Sequence, residues 1–197
     1  MGLREESADQ MKGVIMKIWI ISDTHFNHKN IIQYEDRPFR SIDEMNDAMI
    51  KRWNSVVAPD DIVYHLGDVG LGNESSLKWI IPSLNGHKIL VRGNHDQKSK
   101  NFYIDCGFEE VRPSFIEEHE GVKIFFSHRP DTRPGNQHDT YDMHFYGHVH
   151  AKEYHGAFPT IARNGACLCV ERWDYTPVEL NKVIEMCKNS GIHSDSI

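Results

Sequence analysis

Three apolar segments alternate with helical ones in the first half of the chain: KIWIIS at 17–22, DIVYHLGD at 61–68 and HKILVRGNHD at 87–96. Runs of this length, rich in Ile, Val and Leu, read as buried strands. Between the first two, SIDEMNDAMIKRWNSVV from Ser41 sets Ile42, Met45, Met49, Trp53 and Val56 on one helical stripe, and Ser41 with Glu44 supplies a capping box. SSLKWIIPSL reads as a short helix stopped near Pro82. The resulting β-α-β-α-β order is that of a stacked α/β sheet. After a helix near 98–106 the rhythm turns to strands: RPSFIEEH, VKIFFS, MHFYG and the stretch around FPTIARNGACLCVERW. Thr176, Pro177 and Glu179 then open a closing helix, with Val178, Val183, Ile184 and Cys187 on its buried side. A chain of 197 residues suffices for one well-cored domain, expected over 16–197. Residues 1–15 are expected to be a flexible extension, since MKIWIISDTHF at Met16 itself reads as a start.

Polar residues fall at the ends of the apolar segments. Asp23 and His25 follow KIWIIS, Gly67 and Asp68 follow DIVYHL, and Asn94, His95 and Asp96 follow KILVR. His128 follows VKIFFS, and His148 and His150 follow MHFYG. Such groups are costly to bury unpaired, and beyond the carboxyl ends of strands in α/β sheets they converge on a ligand crevice. Imidazoles, carboxylates and one amide oxygen, without thiolate, suit Mn²⁺, Fe, Zn²⁺ or Ni²⁺. A pool this large exceeds the three protein ligands and water of a single catalytic zinc site, whereas two ions sharing a bridging carboxylate would use it. Strand alternation is expected to aim Asp23 and His25 the same way, and likewise His148 and His150. Gly67 and Gly93, directly before candidate ligands, are expected to let the backbone turn tightly.

Composition narrows the function classes. The formal net charge is −7 and no Lys/Arg block stands out, which disfavours tight, sequence-blind binding to long nucleic acid. The 13 histidines exceed structural need and point to metal, imidazole being the commonest metal ligand. The apolar runs are of strand length and the first fifteen residues lack a secretory pattern, so no membrane is implied and a cytoplasmic location is expected. Cys106, Cys167, Cys169 and Cys187 show neither disulfide density nor C-x-x-C knuckles and read as reduced packing residues, with Cys167 and Cys169 on one strand face. Oligomeric state is not legible. The irregular segment 129–142 is longer than ordinary connections, as functional loops often are.

The segments SDTH, LGDV, GNHD, FSHRP and GHVH, in this order over residues 22–150, resemble the calcineurin-like metallophosphoesterase superfamily. DTHFNHKNII, the MNDAMIKRWNSVV helix and the WDYTPVEL ending look like its small bacterial and phage branch. The resemblance implies a four-layer α-β-β-α sandwich, with two mixed sheets flanked by helices and a two-metal site at one edge. It also implies that Asp23, His25 and His150 hold one ion and Asn94, His128 and His148 the other, with Asp68 bridging. Two divalent cations, Mn²⁺ first among the candidates, are then the expected cofactors.

The expected reaction is hydrolysis of a small phosphodiester, a cyclic or short nucleotide among the candidates, by hydroxide bridging the ions. Phosphomonoester hydrolysis is the close second. By the resemblance His95 lies over the substrate, where it can act as general acid or bind phosphoryl oxygen, with Asn94 beside it. Asp96 either orients His95 or stabilises a turn. Arg129 either clamps phosphate or is an exposed arginine beside a proline. His28 faces the cleft or, with Asn27, caps the next helix. His65, inside an apolar strand, reads as a satisfied core histidine. A protein-binding platform with an idle site is the alternative from another class, but an idle site is expected to have lost ligands and here every position is filled. A mononuclear or storage metal protein would not call for a further histidine and aspartate beside the ions.

Overall fold

The computed structural model describes residues 16–151 and 158–190. The expected extension over 1–15 lies outside them. Four parallel strands, β1 (Ile18–Ile21), β2 (Ile62–His65), β3 (His87–Val91) and β4 (Phe108–Arg112), form one sheet. Its connections include α1 (Ile31–Tyr34), α2 (Ile42–Val56), α3 (Glu74–Ile80) and α4 (Lys100–Asp105). A second sheet, of order β5-β6-β7-β9-β8, contains β5 (Ser114–His119), β6 (Val122–Ser127), β7 (Met143–Tyr146), β8 (Ile161–Ala162) and β9 (Gly165–Cys167). The strand β10 (Val178–Glu179) returns antiparallel to the edge of β1, and α5 (Leu180–Asn189) ends the described chain. Both sheets are mixed, and helices flank them, as in the calcineurin-like phosphoesterase fold.

The strands β1, β2 and β3 of the first sheet pack apolar side chains on both faces. Ile21, Val63 and Leu90 face a core shared with Met45, Met49 and Trp53 of α2, Leu77 of α3 and Phe102 of α4. Their neighbours Ile20, Tyr64 and Val91 face the second sheet, against Ile124, Phe126, Phe145 and Ala166, with Val183, Ile184 and Cys187 of α5 completing that layer. A strand alternating between two apolar layers needs a continuous apolar run, which is what KIWII and KILV supply. Of the expected α2 stripe, Met45, Met49 and Trp53 are buried and Val56 packs against them, while Ile42 at the first turn stays half-buried outside this core. Ser41 Oγ accepts the Glu44 backbone N–H at 3.1 Å, while the Glu44 carboxylate reaches back to Arg40 N at 2.7 Å.

Two expectations fail at element ends. Thr176, Pro177 and Glu179 do not open the closing helix; Val178 and Glu179 pair with Ile20 and Trp19, and the helix starts at Leu180. Adding a strand to β1 satisfies part of the sheet edge that would otherwise be open. Cys167 ends β9 and Cys169 lies beyond it, so the two share no strand face, although their sulfurs approach to 3.4 Å. All four cysteines are free and buried.

Register brings the strand ends level. Ile21 pairs with His65 and His65 with Leu90, so the residues after β1, β2 and β3 emerge at one edge. In the second sheet Phe126 pairs with Phe145, which sets His128 beside Gly147, whose N–H donates to His128 O at 2.9 Å. The sheets are joined there by a parallel bridge between Ser22 and Cys169 and by Ser22 N–H donating to Leu168 O at 2.9 Å.

Candidate metal centre

Asp23 is fully buried directly past β1. Its Oδ2 accepts from Ser22 Oγ at 2.5 Å and His148 N at 2.9 Å, and the Cys169 Sγ lies 3.3 Å away. Its Oδ1 has no hydrogen-bond partner and instead faces His150 Nε2 at 3.5 Å and His25 Nε2 at 3.8 Å. His25 Nε2 is likewise buried without a partner. Two adjacent orphaned polar atoms in a packed interior are costly unless something else binds them.

Asp68 stands between two groups of side chains. Its Oδ1 accepts His95 N–H at 2.8 Å, while Oδ2 lies 3.6 Å from His25 Nε2 and 3.4 Å from His128 Nε2. His128 Nδ1 donates to Leu66 O at 2.8 Å, which aims Nε2 at Asp68 and at Asn94 Oδ1, 2.9 Å away. The His148 ring stacks edge-on to His128 at 5.1 Å. On the other side, His150 Nδ1 bonds Glu171 Oε1 at 3.0 Å, leaving Nε2 toward Asp23. Asp23, His25 and His150 thus form one group able to hold a cation, and Asp68, His128 and His148 a second, each with ligand atoms within 4.8 Å of one another.

The backbone aims these groups by a device other than strand alternation. Asp23 (φ 58°), His25 (50°), Asp68 (56°), His148 (72°) and His150 (41°) all adopt left-handed conformations past their strands. Strand geometry therefore does not aim Asp23 with His25, and His148 and His150 enter different groups. Non-glycine residues in this region cost about 1 kcal/mol or more each and cluster where function over-determines them. Gly67 turns at φ +98°, and a side chain at Gly93 would run into the Asp68 carboxylate and backbone N–H.

Charge in the centre is strongly coupled. Burial disfavours the Asp23 carboxylate, but His150 and His25 outweigh it and hold the acid well below its ordinary range. Burial likewise opposes the charged form of His128, yet Asp68 and Asp23 lift it to about 9. His150 rises to about 9 against burial because of Asp23 and Glu171. Burial dominates for His25 and His148, lowering both.

His28 and His95 sit at the rim. His28 Nδ1 lies 3.4 Å from His25 Nδ1, and its ring is 6.2 Å from that of His95, which is 5.4 Å from the His25 ring. The capping alternative for His28 falls away: α1 is preceded by Asn30 without a side-chain cap, and Asn27 pairs with Asn46 at 2.8 Å. Burial lowers the His28 pKa to about 4. Asp96 does not orient His95. Its carboxylate accepts N–H bonds from Asp68 and Gly93, both at 2.8 Å, and from Val69 at 3.0 Å, so it staples the loop after β2 to the loop after β3. Arg129 is exposed, holds Asp131 at 3.0 Å, and borders a cavity together with Asn94 and His128. His65 is a core histidine: Gly67 N–H donates to its Nδ1, Nε2 meets Thr24 Oγ1 at 2.9 Å, and burial drops its pKa to about 3.

The family model described as a calcineurin-like phosphoesterase superfamily domain matches residues 16–171. The chain belongs to that superfamily. An uncharacterized protein of Methanocaldococcus jannaschii is 36% identical over 179 residues, spanning 89% of this chain and 94% of its own. The gene 66 protein of Mycobacterium phage L5 is 35% identical over 82 residues, 40% of this chain and 39% of its own. Among solved structures, a protein of unknown function from Aquifex aeolicus superposes with a TM-score of 0.66 at 27% identity, covering 86% of this chain and 98% of that one. In this chain, two residues with buried side chains that no motif announces complete the frame. Arg37 donates to Asp23 O and Thr24 O, both at 2.8 Å, and binds Glu171, which in turn holds His150. Their spacing in the chain carries no signal, since Arg37 and Glu171 lie 134 positions apart.

Proposed function

We propose that the chain is a dinuclear-metal-dependent phosphoesterase that hydrolyses a small phosphodiester, with Mn²⁺ the preferred ion. The observation that carries this reading is the Asp68 carboxylate between two cation-sized groups, beside the buried and unbonded Asp23 Oδ1 and His25 Nε2. Asp23, His25 and His150 would hold one ion, Asn94, His128 and His148 the other, and Asp68 both. When bound, the two cations supply positive charge against the phosphoryl oxygens and acidify the attacking water.

The chain's own residues do the rest. Leu66 O and Glu171 fix the tautomers of His128 and His150 so that each presents Nε2 to the centre. His95, anchored through its backbone N–H to Asp68 Oδ1, stands outside the ligand groups and donates a proton to the leaving alkoxide oxygen. His28 supplies a second imidazole on the same rim, where it contacts the bound ester.

The test is a set of variants assayed for metal content and for turnover of a chromogenic diester with added Mn²⁺. Asp68→Asn and His150→Ala should lose metal and activity together. His95→Ala should keep both ions yet slow turnover about 10²-fold or more, most for poor leaving groups. A His95→Ala protein that arrives empty of metal would show that ligand and acid have been wrongly divided.

A further inference from the structure

A cavity of about 530 Å³ opens from the metal centre and shares Asn94 and His128 with it. Its walls put Arg92 from the turn after β3, Lys100 at the start of α4, Arg112 at the end of β4 and Arg129 from the turn after β6 around one space. Among the described residues no acidic one lines it, in a chain whose formal net charge is −7. Val111 and Pro113 give it an apolar floor.

The fold engages these cations only in part. Among the described residues the Arg92 side chain bonds only the Lys98 carbonyl, at 3.0 Å, and it lies over the Tyr103 ring. Arg112 and Arg129 meet Glu110 and Asp131 through Nε, which leaves the terminal amino groups of both forks without a hydrogen-bond partner among the described residues. Arg112 is also braced over the Phe115 ring at 5.0 Å. Lys100 has no ion pair among the described residues. A single phosphoryl group on the metal ions would leave Arg92 and Lys100 without a counter-ion among the described residues, and the terminal amino groups of Arg112 and Arg129 without an acceptor. Cationic forks of this kind match phosphate oxygens in pairs, and the apolar floor suits the flat face of a base rather than a bare polyphosphate.

Resting on the phosphoesterase reading, we propose that this cavity binds the nucleoside and second phosphate that flank the scissile bond. The substrate class is thus a short nucleotide ester with at least two phosphates one nucleoside apart. Arg92, Arg112 and Arg129 hold the second phosphate, and the base rests on Val111 and Pro113. A cyclic mononucleotide, with one phosphate, would leave Arg92, Arg112 and Arg129 unused.

The experiment compares kcat/KM for dinucleotides carrying a terminal 5′ or 3′ phosphate, for the same dinucleotide without it, and for a chromogenic diester, all with added Mn²⁺. One terminally phosphorylated dinucleotide should be preferred over the bare one by about tenfold or more, the scale of a single charge-assisted contact. The Arg92→Gln/Arg112→Gln double variant should bring that ratio to near one. Because the ratio is internal to each protein, general damage to folding lowers both rates and leaves it intact. A native ratio near one while the chromogenic diester is cleaved overturns the cavity assignment alone, as does a ratio that survives the double substitution. Failure to cleave any ester overturns the underlying phosphoesterase reading with it.

Discussion

In the proposed centre, a metal ion would have to displace a proton from each of His128 and His150. Both are pushed up to about 9, against burial, by Asp68 and Asp23 for the first and by Asp23 and Glu171 for the second. A histidine whose folded pKa exceeds its unfolded value near 6.5 stabilises the fold fully below that value and loses the contribution as pH rises through 9. The metal-free protein should therefore lose stability between pH 6.5 and 9, while metal affinity rises over the same window as the two imidazoles give up their protons. At pH 7.5, loading with Mn²⁺ should release about two protons per chain, measurable by calorimetry in buffers of different ionisation enthalpy. Release of none would mean that neither histidine is a ligand. The single residues were legible where chemistry follows identity: the aspartates and histidines at strand ends could be picked out because a buried carboxylate or imidazole needs a partner. Glu171 and Arg37 could not, since their meaning comes only from the Asp23 and His150 atoms they touch after folding.

At the scale of elements, the apolar runs of β1, β2, β3 and β6 were readable because both faces of these strands are buried. β4 was not. Its sequence FEEVR exposes Glu109 and Glu110 between buried Phe108 and Val111, and the register against β3 shifts between Lys88 and Ile89, so neither alternation nor an apolar run survives. β10 is only two residues long and borrowed the Pro and Glu signals of a helix start. The turns after β2 and β3 are held together by Asp96, whose carboxyl is pushed up by burial and still accepts three backbone N–H bonds. Asp96→Ala should cost on the order of 3 kcal/mol in denaturant unfolding of the metal-free protein, because buried donors lose their acceptor. It should also weaken metal binding through displacement of Asp68. His95→Ala, at a half-exposed rim, should cost less than about 1 kcal/mol. An Asp96→Ala protein of native stability that is slowed in the same way as His95→Ala would return Asp96 to the role of orienting that histidine.

Across the whole molecule, two mixed sheets meet along the edge where Ser22 bridges Cys169, and residues from positions 23 to 150 gather there. The β-α-β-α-β order was visible in the pattern of apolar segments, but which strands lie next to one another depends on non-local pairing. No helix among the described residues is long and apolar enough to cross a membrane. The central claim is that the gathered side chains form a cage for a pair of ions. Elemental analysis of active, exhaustively desalted protein decides it: the account predicts close to two transition-metal equivalents per chain, falling in step with activity in Asp68→Asn. Fully active protein with one equivalent or none would contradict it.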